Sequence, residues 1–305
     1  MSVSPFHGSI TALITPFENG RIDEKRYADL VAWQVAQGAH GIVASATTGE
    51  SPTLSDDECA LTIKLCRDGA KGKIPVMAGC GSNNTAHAIH LTQQAEKLGA
   101  DAALHVPPYY NKPTPEGIYQ HIKAIHDHSN IPLFLYNVPG RTVVAFGAEL
   151  VARLTELPRV AGIKDCAEVT RPAKLRAMCR KDFRQLTGDD PVTLPYLAMG
   201  GEGCISVTAN IAPALCASLH NAWTKGDVAS AQKINEQLMP LHEALFCEIS
   251  PGPVKYAASL MGLCRYEFRL PMVPISKANE KIVEEALRKA GLLSADAALK
   301  PAARA

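Results

Sequence analysis

Eight short apolar runs recur along the 305 residues, and their spacing limits the fold more than any other feature. They occupy 11–17, 41–47, 75–81, 102–109, 132–139, 160–166, 184–190 and 203–210, so successive starts lie 30, 34, 27, 30, 28, 24 and 19 residues apart. Each run is near-continuously apolar rather than alternating, as expected of parallel strands covered on both faces. Most of the gaps hold one helix and two loops, which is the βα unit. Helix signals fall inside the gaps. Asp23 precedes Tyr27, Leu30, Val31 and Val35 on one helical face, with Gly38 beyond them. Ser55 opens Asp56-Asp57-Glu58, a capping box with acidic residues in its first turn. A third helix spans 85–98 before Gly99, and Thr114-Pro115-Glu116 sets proline at the first position of a fourth. Eight such units predict an α/β fold of the (β/α)8 TIM-barrel type. An open doubly wound sheet competes less well. No G-x-G-x-x-G follows the first run, and no break in rhythm marks a switch point.

After Asn210 the rhythm stops. Helical patterns at 212–224, 227–247, 252–262 and 276–292 are separated by Gly226, by Pro251-Gly252-Pro253 and by the prolines of RLPMVPIS. The first of them closes the eighth unit. The sequence therefore divides into a catalytic barrel over 1–224 and a C-terminal α-helical appendage over 225–305. The tail from 294 onward is expected to fray.

Composition narrows the function classes. Lys and Arg total 31 against 30 Asp and Glu, a formal net charge of +1, with 47% apolar and 20% charged residues. That balance excludes disorder, collagen and coiled coil for the whole chain, and it offers no large positive field for nucleic acid. No run approaches the ~18–20 apolar residues of a membrane span, and the first residues lack a secretory pattern. The expected location is cytoplasmic. Nine cysteines, none in C-x-x-C spacing, read as reduced, buried small hydrophobes. His87 and His90, and His121 with His126, do not make a metal-ligand spacing, so no metal is expected.

In a barrel of this type the chemistry sits at the C-terminal ends of the strands. Those ends carry Thr47-Thr48-Gly49-Glu50-Ser51, Tyr109-Tyr110-Asn111, Tyr136-Asn137 running into Pro139-Gly140-Arg141-Thr142, then Lys164, and Gly188-Asp189-Asp190. Lys164 stands out because AGIKDCA is apolar and a buried charge is costly. A desolvated lysine loses pKa and becomes a nucleophilic amine that forms Schiff bases with carbonyls. The plainer alternative is an ion pair with Asp165 or a neighbouring carboxylate. Tyr136, Thr47 and Tyr110 could converge as a proton shuttle. Backbone N–H groups of the Thr47–Gly49 turn could hold the carboxylate of a 2-oxo acid. Arg141 could grip a second carboxylate bidentately. Taken singly, each has an ordinary structural role as its alternative: a core tyrosine, a loop, a solvated turn charge.

Together the segments GSITALITPF, TTGES, VPPYYNKPTPEGIYQH, LYNVPGRT, GIKD, TGDD, GCISVTANIAP, LMPLHEALF and RLPMVP resemble the dihydrodipicolinate synthases of the pyruvate-dependent class I aldolase superfamily. The match covers nearly the whole chain in order and distance. The resemblance implies that Lys164 forms the Schiff base with pyruvate, and that Tyr136, Thr47 and Tyr110 relay protons, Tyr110 from across a dimer interface. It implies that Thr48 holds the pyruvate carboxylate, that Arg141 holds that of (S)-aspartate 4-semialdehyde, and that Gly188 and Ile205 line the pocket. The implied product is 4-hydroxy-tetrahydrodipicolinate, on the route to diaminopimelate and lysine. No cofactor is implied, and the implied assembly is a homotetramer built as a dimer of dimers. The alternative is another 2-oxo-acid aldolase or dehydratase of the superfamily, of the sugar-acid or sialic-acid type; Arg141 beside the paired threonines favours the synthase. A non-catalytic 2-oxo-acid sensor would have no need of a nucleophile.

One departure stands out. Lysine-inhibited synthases have an effector pocket that Ser51, Asn83 and Tyr109 match, but Cys59 stands where a histidine is typical and His87 where a glutamate is. A thiol and an imidazole receive an α-ammonium poorly, unless Asp56 or Glu58 supplies the charge. Lysine feedback is therefore expected to be weak or absent.

Overall fold

The computed structural model describes residues 4–293. Eight parallel strands close into a barrel: β1 (Gly8–Ala12), β2 (Gly41–Ala44), β3 (Val76–Gly79), β4 (Ala102–His105), β5 (Leu133–Asn137), β6 (Val160–Asp165), β7 (Arg184–Thr187) and β8 (Gly203–Ser206). Neighbours pair in sequence order, and β1 closes the ring against β8 through Ile10 opposite Ile205. The expected barrel is present, with every strand in or beside its apolar run. The first run is the one displaced: β1 ends at Ala12, and Leu13 to Pro16 form a buried connection. Phe17–Glu18 then pairs with Arg21–Ile22 in a small antiparallel hairpin outside the barrel. Apolarity there marks burial rather than strand.

The helix starts follow their caps. The Asp23 side chain accepts from Arg26 N–H at the start of Glu24–Ala36. Both halves of the Ser55/Glu58 capping box form before Asp56–Ala70. Thr114 caps Pro115–Asp127. On the first helix Gln34, rather than Val35, completes the buried face, because its amide accepts from Thr11 Oγ1 at 2.7 Å and donates to Ala209 O at 2.9 Å.

Two apolar clusters divide the interior. The inner one fills the barrel with Phe6, Ile10, Val43, Met77, Leu104, Phe134, Leu186 and Ile205. Phe6 meets Phe134 edge to face at 5.4 Å, so the interior is a packed plug. The outer cluster lies between strands and helices. The C-terminal helices Val228–Ala244, Gly252–Leu260 and Lys277–Lys289 join it through Leu238, Leu241, Val254, Tyr256, Val283 and Leu287, alongside Leu13, Ile14, Tyr27 and Leu30. The segment after 225 thus shares its core with the barrel. The expected fraying tail lies outside the described residues. Among the described residues no helix is long and apolar enough to cross a membrane. All nine cysteines are free thiols.

Candidate active site

Strand alternation decides what Lys164 can reach. Residues two apart on a strand share a face, so Lys164 and Cys166 turn inward and Asp165 turns outward. Asp165 is held there. Its Oδ2 accepts from Arg171 Nε at 2.6 Å and its Oδ1 from Asn137 Nδ2 at 2.9 Å. Asn137 Oδ1 in turn accepts the Phe146 N–H at 3.0 Å. An ion pair between Lys164 and Asp165, the plainer alternative for this lysine, is therefore absent. Lys164 is 3% exposed and makes no ion pair among the described residues. Tyr136 is its partner in the β5–β6 register, and Nζ stands 4.1 Å from the Tyr136 ring centroid.

Burial is the largest influence on the Lys164 ammonium and pushes it down. Tyr136, which also hydrogen-bonds it, and the Cys166 and Cys204 thiols push it up, and the net direction is upward. This differs from the simple expectation of a desolvated lysine. The reason is the company it keeps. Burial raises the Cys166 thiol to about 11, and Cys204 is pushed well above its ordinary value, again chiefly by burial. Thiols held that high are uncharged near neutrality.

Gly188 packs against this pair. A Cβ there would stand 2.5 Å from both Lys164 Cε and Cys166 Sγ. Its N–H donates to Asp165 O at 3.0 Å, which fixes the backbone. Ile205 is fully buried in the inner cluster beneath.

Thr47–Gly49 forms one 3-10 turn after β2, with Thr48 and Gly49 buried. The Gly49 and Glu50 N–H groups close the turn onto Ala46 O and Thr47 O. The first N–H groups of such a turn have no acceptor within it, which leaves those of Thr47 and Thr48 for a ligand. A Cβ on Gly49 would meet Leu13 O at 3.0 Å, and Thr15 Oγ1 donates to Gly49 O at 2.7 Å. Arg141 lies in the helical turn Pro139–Thr142, with Nη2 donating to Ser250 O at 3.3 Å.

A cavity of about 400 Å³ joins Thr47, Tyr136, Arg141 and Thr142 to Ser51, Asp56, Cys59, His87 and Tyr109. Tyr110 does not join them. It is 89% exposed, at φ +69°, and is not among the residues that line its own chain's cavity. Asn83 borders the cavity through its loop, donating to Tyr109 O at 3.2 Å and accepting from Asn111 at 3.0 Å. His87 Nε2 lies 3.0 Å from Asp56 Oδ1. Glu58 is engaged elsewhere: the Arg269 guanidinium holds it bidentately and lowers its carboxyl to about 2.

The model of the dihydrodipicolinate synthetase family matches residues 5–290. The chain belongs to that family. The 4-hydroxy-tetrahydrodipicolinate synthase of Rhodospirillum centenum is 53% identical over 290 residues, 95% of this chain and 100% of that protein. Its counterpart in Bradyrhizobium diazoefficiens is 51% identical over 95% of this chain and 98% of its own length. The structure of the chloride-inhibited dihydrodipicolinate synthase of Acinetobacter baumannii complexed with pyruvate superposes with a TM-score of 0.92 at 43% identity, covering 94% of this chain and 99% of that one.

Several residues to which the sequence assigns no role also build the site: Asn137, Asp190 and Glu50 at the strand ends, with Arg171 and Lys255 beyond them. Asn137 and Arg171 hold Asp165 outward. Asp190 ties the β8 loop, accepting from Val207 N–H at 2.8 Å and from Ser206 Oγ. Glu50 and Lys255 form a buried ion pair at 2.6 Å. The last had a visible signal, since Lys255 sits in PVKYAAS, as apolar a setting as that of Lys164.

Proposed function

We propose that this chain condenses pyruvate with (S)-aspartate 4-semialdehyde to 4-hydroxy-tetrahydrodipicolinate through a Schiff base on Lys164. The observation that carries the mechanism is a buried lysine without a carboxylate partner, stacked over Tyr136 at the end of a barrel strand. Its amine attacks C2 of pyruvate, and the carbonyl oxygen leaves as water. The iminium draws electrons from C3, which loses a proton to give the enamine. The enamine carbon attacks the aldehyde carbon of the second substrate. That substrate's own amine then displaces Lys164 from C2 and closes the ring. Tyr136, Thr47 and Tyr110 carry the protons that imine formation needs. Thr48 and the free N–H groups of its turn hold the pyruvate carboxylate, beside Gly188 and Ile205. The test offers pyruvate with a panel of aldehydes. A cyclic product from aspartate semialdehyde alone is expected, and equal turnover of a sugar-derived aldehyde would overturn the assignment.

Arg141 receives the carboxylate of the semialdehyde. Arg141→Ala is expected to raise the semialdehyde KM by about tenfold or more, the order for losing a charge-assisted contact. Pyruvate adduct formation is expected to continue. Unchanged semialdehyde kinetics would remove Arg141 from this role.

Tyr110 serves the neighbouring protomer's site, in a homotetramer arranged as a dimer of dimers in the cytoplasm. Its exposure and left-handed backbone support this reading. Tyr110→Phe and Lys164→Ala proteins, each impaired alone, should then regain activity when unfolded and refolded together. The mixed dimer contains one site with both residues. Failure of complementation in a confirmed mixed dimer would place Tyr110 outside the relay.

The effector pocket gives a further expectation. Its one nearby free acid, Asp56, is already met by His87, and Glu58 is held by Arg269. Lysine is expected to leave turnover unchanged at micromolar concentration; inhibition in that range would refute this.

A further inference from the structure

Outside the barrel, on the helix Gly252–Leu260, lies a second fully buried lysine. Lys255 Nζ contacts Glu50 Oε1 at 2.6 Å, with the two side chains 0% and 1% exposed. Glu50 adopts φ +57°, a left-handed conformation, and is the residue that closes the Thr47–Gly49 turn. Its other oxygen accepts the Arg269 N–H at 3.3 Å. The Lys255 ammonium lies 4.4 Å from the Phe17 ring centroid and 4.9 Å from that of Phe268. Water is excluded from the pair, and its attraction is little screened. Burial pushes the Lys255 ammonium down and Glu50 opposes that push.

We propose that Lys255 is a positioning residue for pyruvate binding: it fixes Glu50, and through Glu50 the turn whose Thr47 and Thr48 N–H groups receive the 2-oxo acid's carboxylate. Two consequences act together. The tether holds a left-handed non-glycine residue in place, so the two free N–H groups keep one direction. The ammonium also cancels a carboxylate that stands two residues from Thr48, where an uncompensated negative charge would repel an anionic substrate. The C-terminal helices therefore take part in substrate recognition, although none of their residues needs to touch pyruvate.

The proposal rests on the reading that this turn takes the pyruvate carboxylate. Borohydride trapping of pyruvate on Lys164 in the unaltered protein tests the Schiff base itself, separately. Lys255→Met leaves Glu50 buried and unpaired, and such a break is strongly destabilising, whereas removing both charges of a buried pair is often tolerated. The decisive variant is therefore the double one, Glu50→Gln with Lys255→Met. A purely structural pair predicts that the double variant recovers both thermal stability and pyruvate KM. A positioning pair predicts recovered stability with pyruvate KM still raised about tenfold and semialdehyde KM changed less than about twofold. Normal pyruvate KM in a folded double variant, or equal rises for both substrates, would overturn the proposal. Amide exchange in the unaltered protein gives a second measurement. Pyruvate with borohydride should slow exchange in 47–51 and in 252–260 together; protection of 47–51 alone would also overturn it.

Discussion

Lys164→Ala protein will fold, will fail to trap pyruvate under borohydride, and will lose turnover by roughly a thousandfold or more, as expected when a covalent nucleophile is removed. In the unaltered protein the same treatment should add one pyruvyl group to the peptide carrying Lys164. Stability is expected to hold, because no buried carboxylate loses its partner: Asp165 remains bonded to Arg171 and Asn137. That distinguishes this lysine from Lys255, whose removal leaves Glu50 buried and unpaired. Mass spectrometry of the trapped peptide together with a melting curve checks both halves. A pyruvyl group found on Lys255, or trapping that persists in Lys164→Ala, would exclude the mechanism.

Gly188→Ala carries the second large effect, and it comes from one methyl group. The added carbon would stand 2.5 Å from Lys164 Cε, 2.5 Å from Cys166 Sγ and 3.0 Å from Lys164 Cγ. The backbone cannot withdraw freely, since the Gly188 N–H is bonded to Asp165 O at 3.0 Å. The lysine stem must move instead. An overpacked core position costs about 1–3 kcal/mol, and a nucleophile displaced by an ångström costs roughly a hundredfold in rate. The rate of pyruvate adduct formation at saturating pyruvate should therefore drop by that order, with a lowered Tm. Cys166→Ala in the same protein removes one of the two obstacles and should restore part of both. A Gly188→Ala protein with unchanged adduct rate would show that Lys164 has room to spare.

The barrel was legible because its cause is local and repeated. Continuous apolar runs at intervals of 19 to 34 residues, the first four each followed by a capped helix start, leave few other architectures. Residues 11–17 misled on position for a physical reason: the connection after β1 is as buried as the strand, and hydrophobicity reports burial without reporting hydrogen-bond pairing. Lys164 was legible because an ammonium in an apolar segment must be explained. Lys255 satisfies the same criterion but lies on a helix, away from the strand ends, and its partner Glu50 is more than 200 residues away in sequence. The outward anchoring of Asp165 was not legible. Asn137 comes from the neighbouring strand and meets Asp165 through their register, while Arg171 returns from the start of the next helix, six residues on. The role proposed for Tyr110 came only through resemblance; the sequence marks a strand end, and the structure adds that the residue is exposed at a left-handed φ.

The edge-to-face contact of Phe6 with Phe134 has a bearing on traffic. With the floor of the barrel closed, both substrates, the water and the product use one opening. On the proposed mechanism the aldehyde reacts only with the enamine that pyruvate forms on Lys164, so pyruvate must react before the aldehyde does. An aldehyde that enters the cavity first, beside Arg141, finds no enamine to attack. The order of reaction is thus set by the proposed enamine, and excess semialdehyde is expected to compete with pyruvate for the cavity.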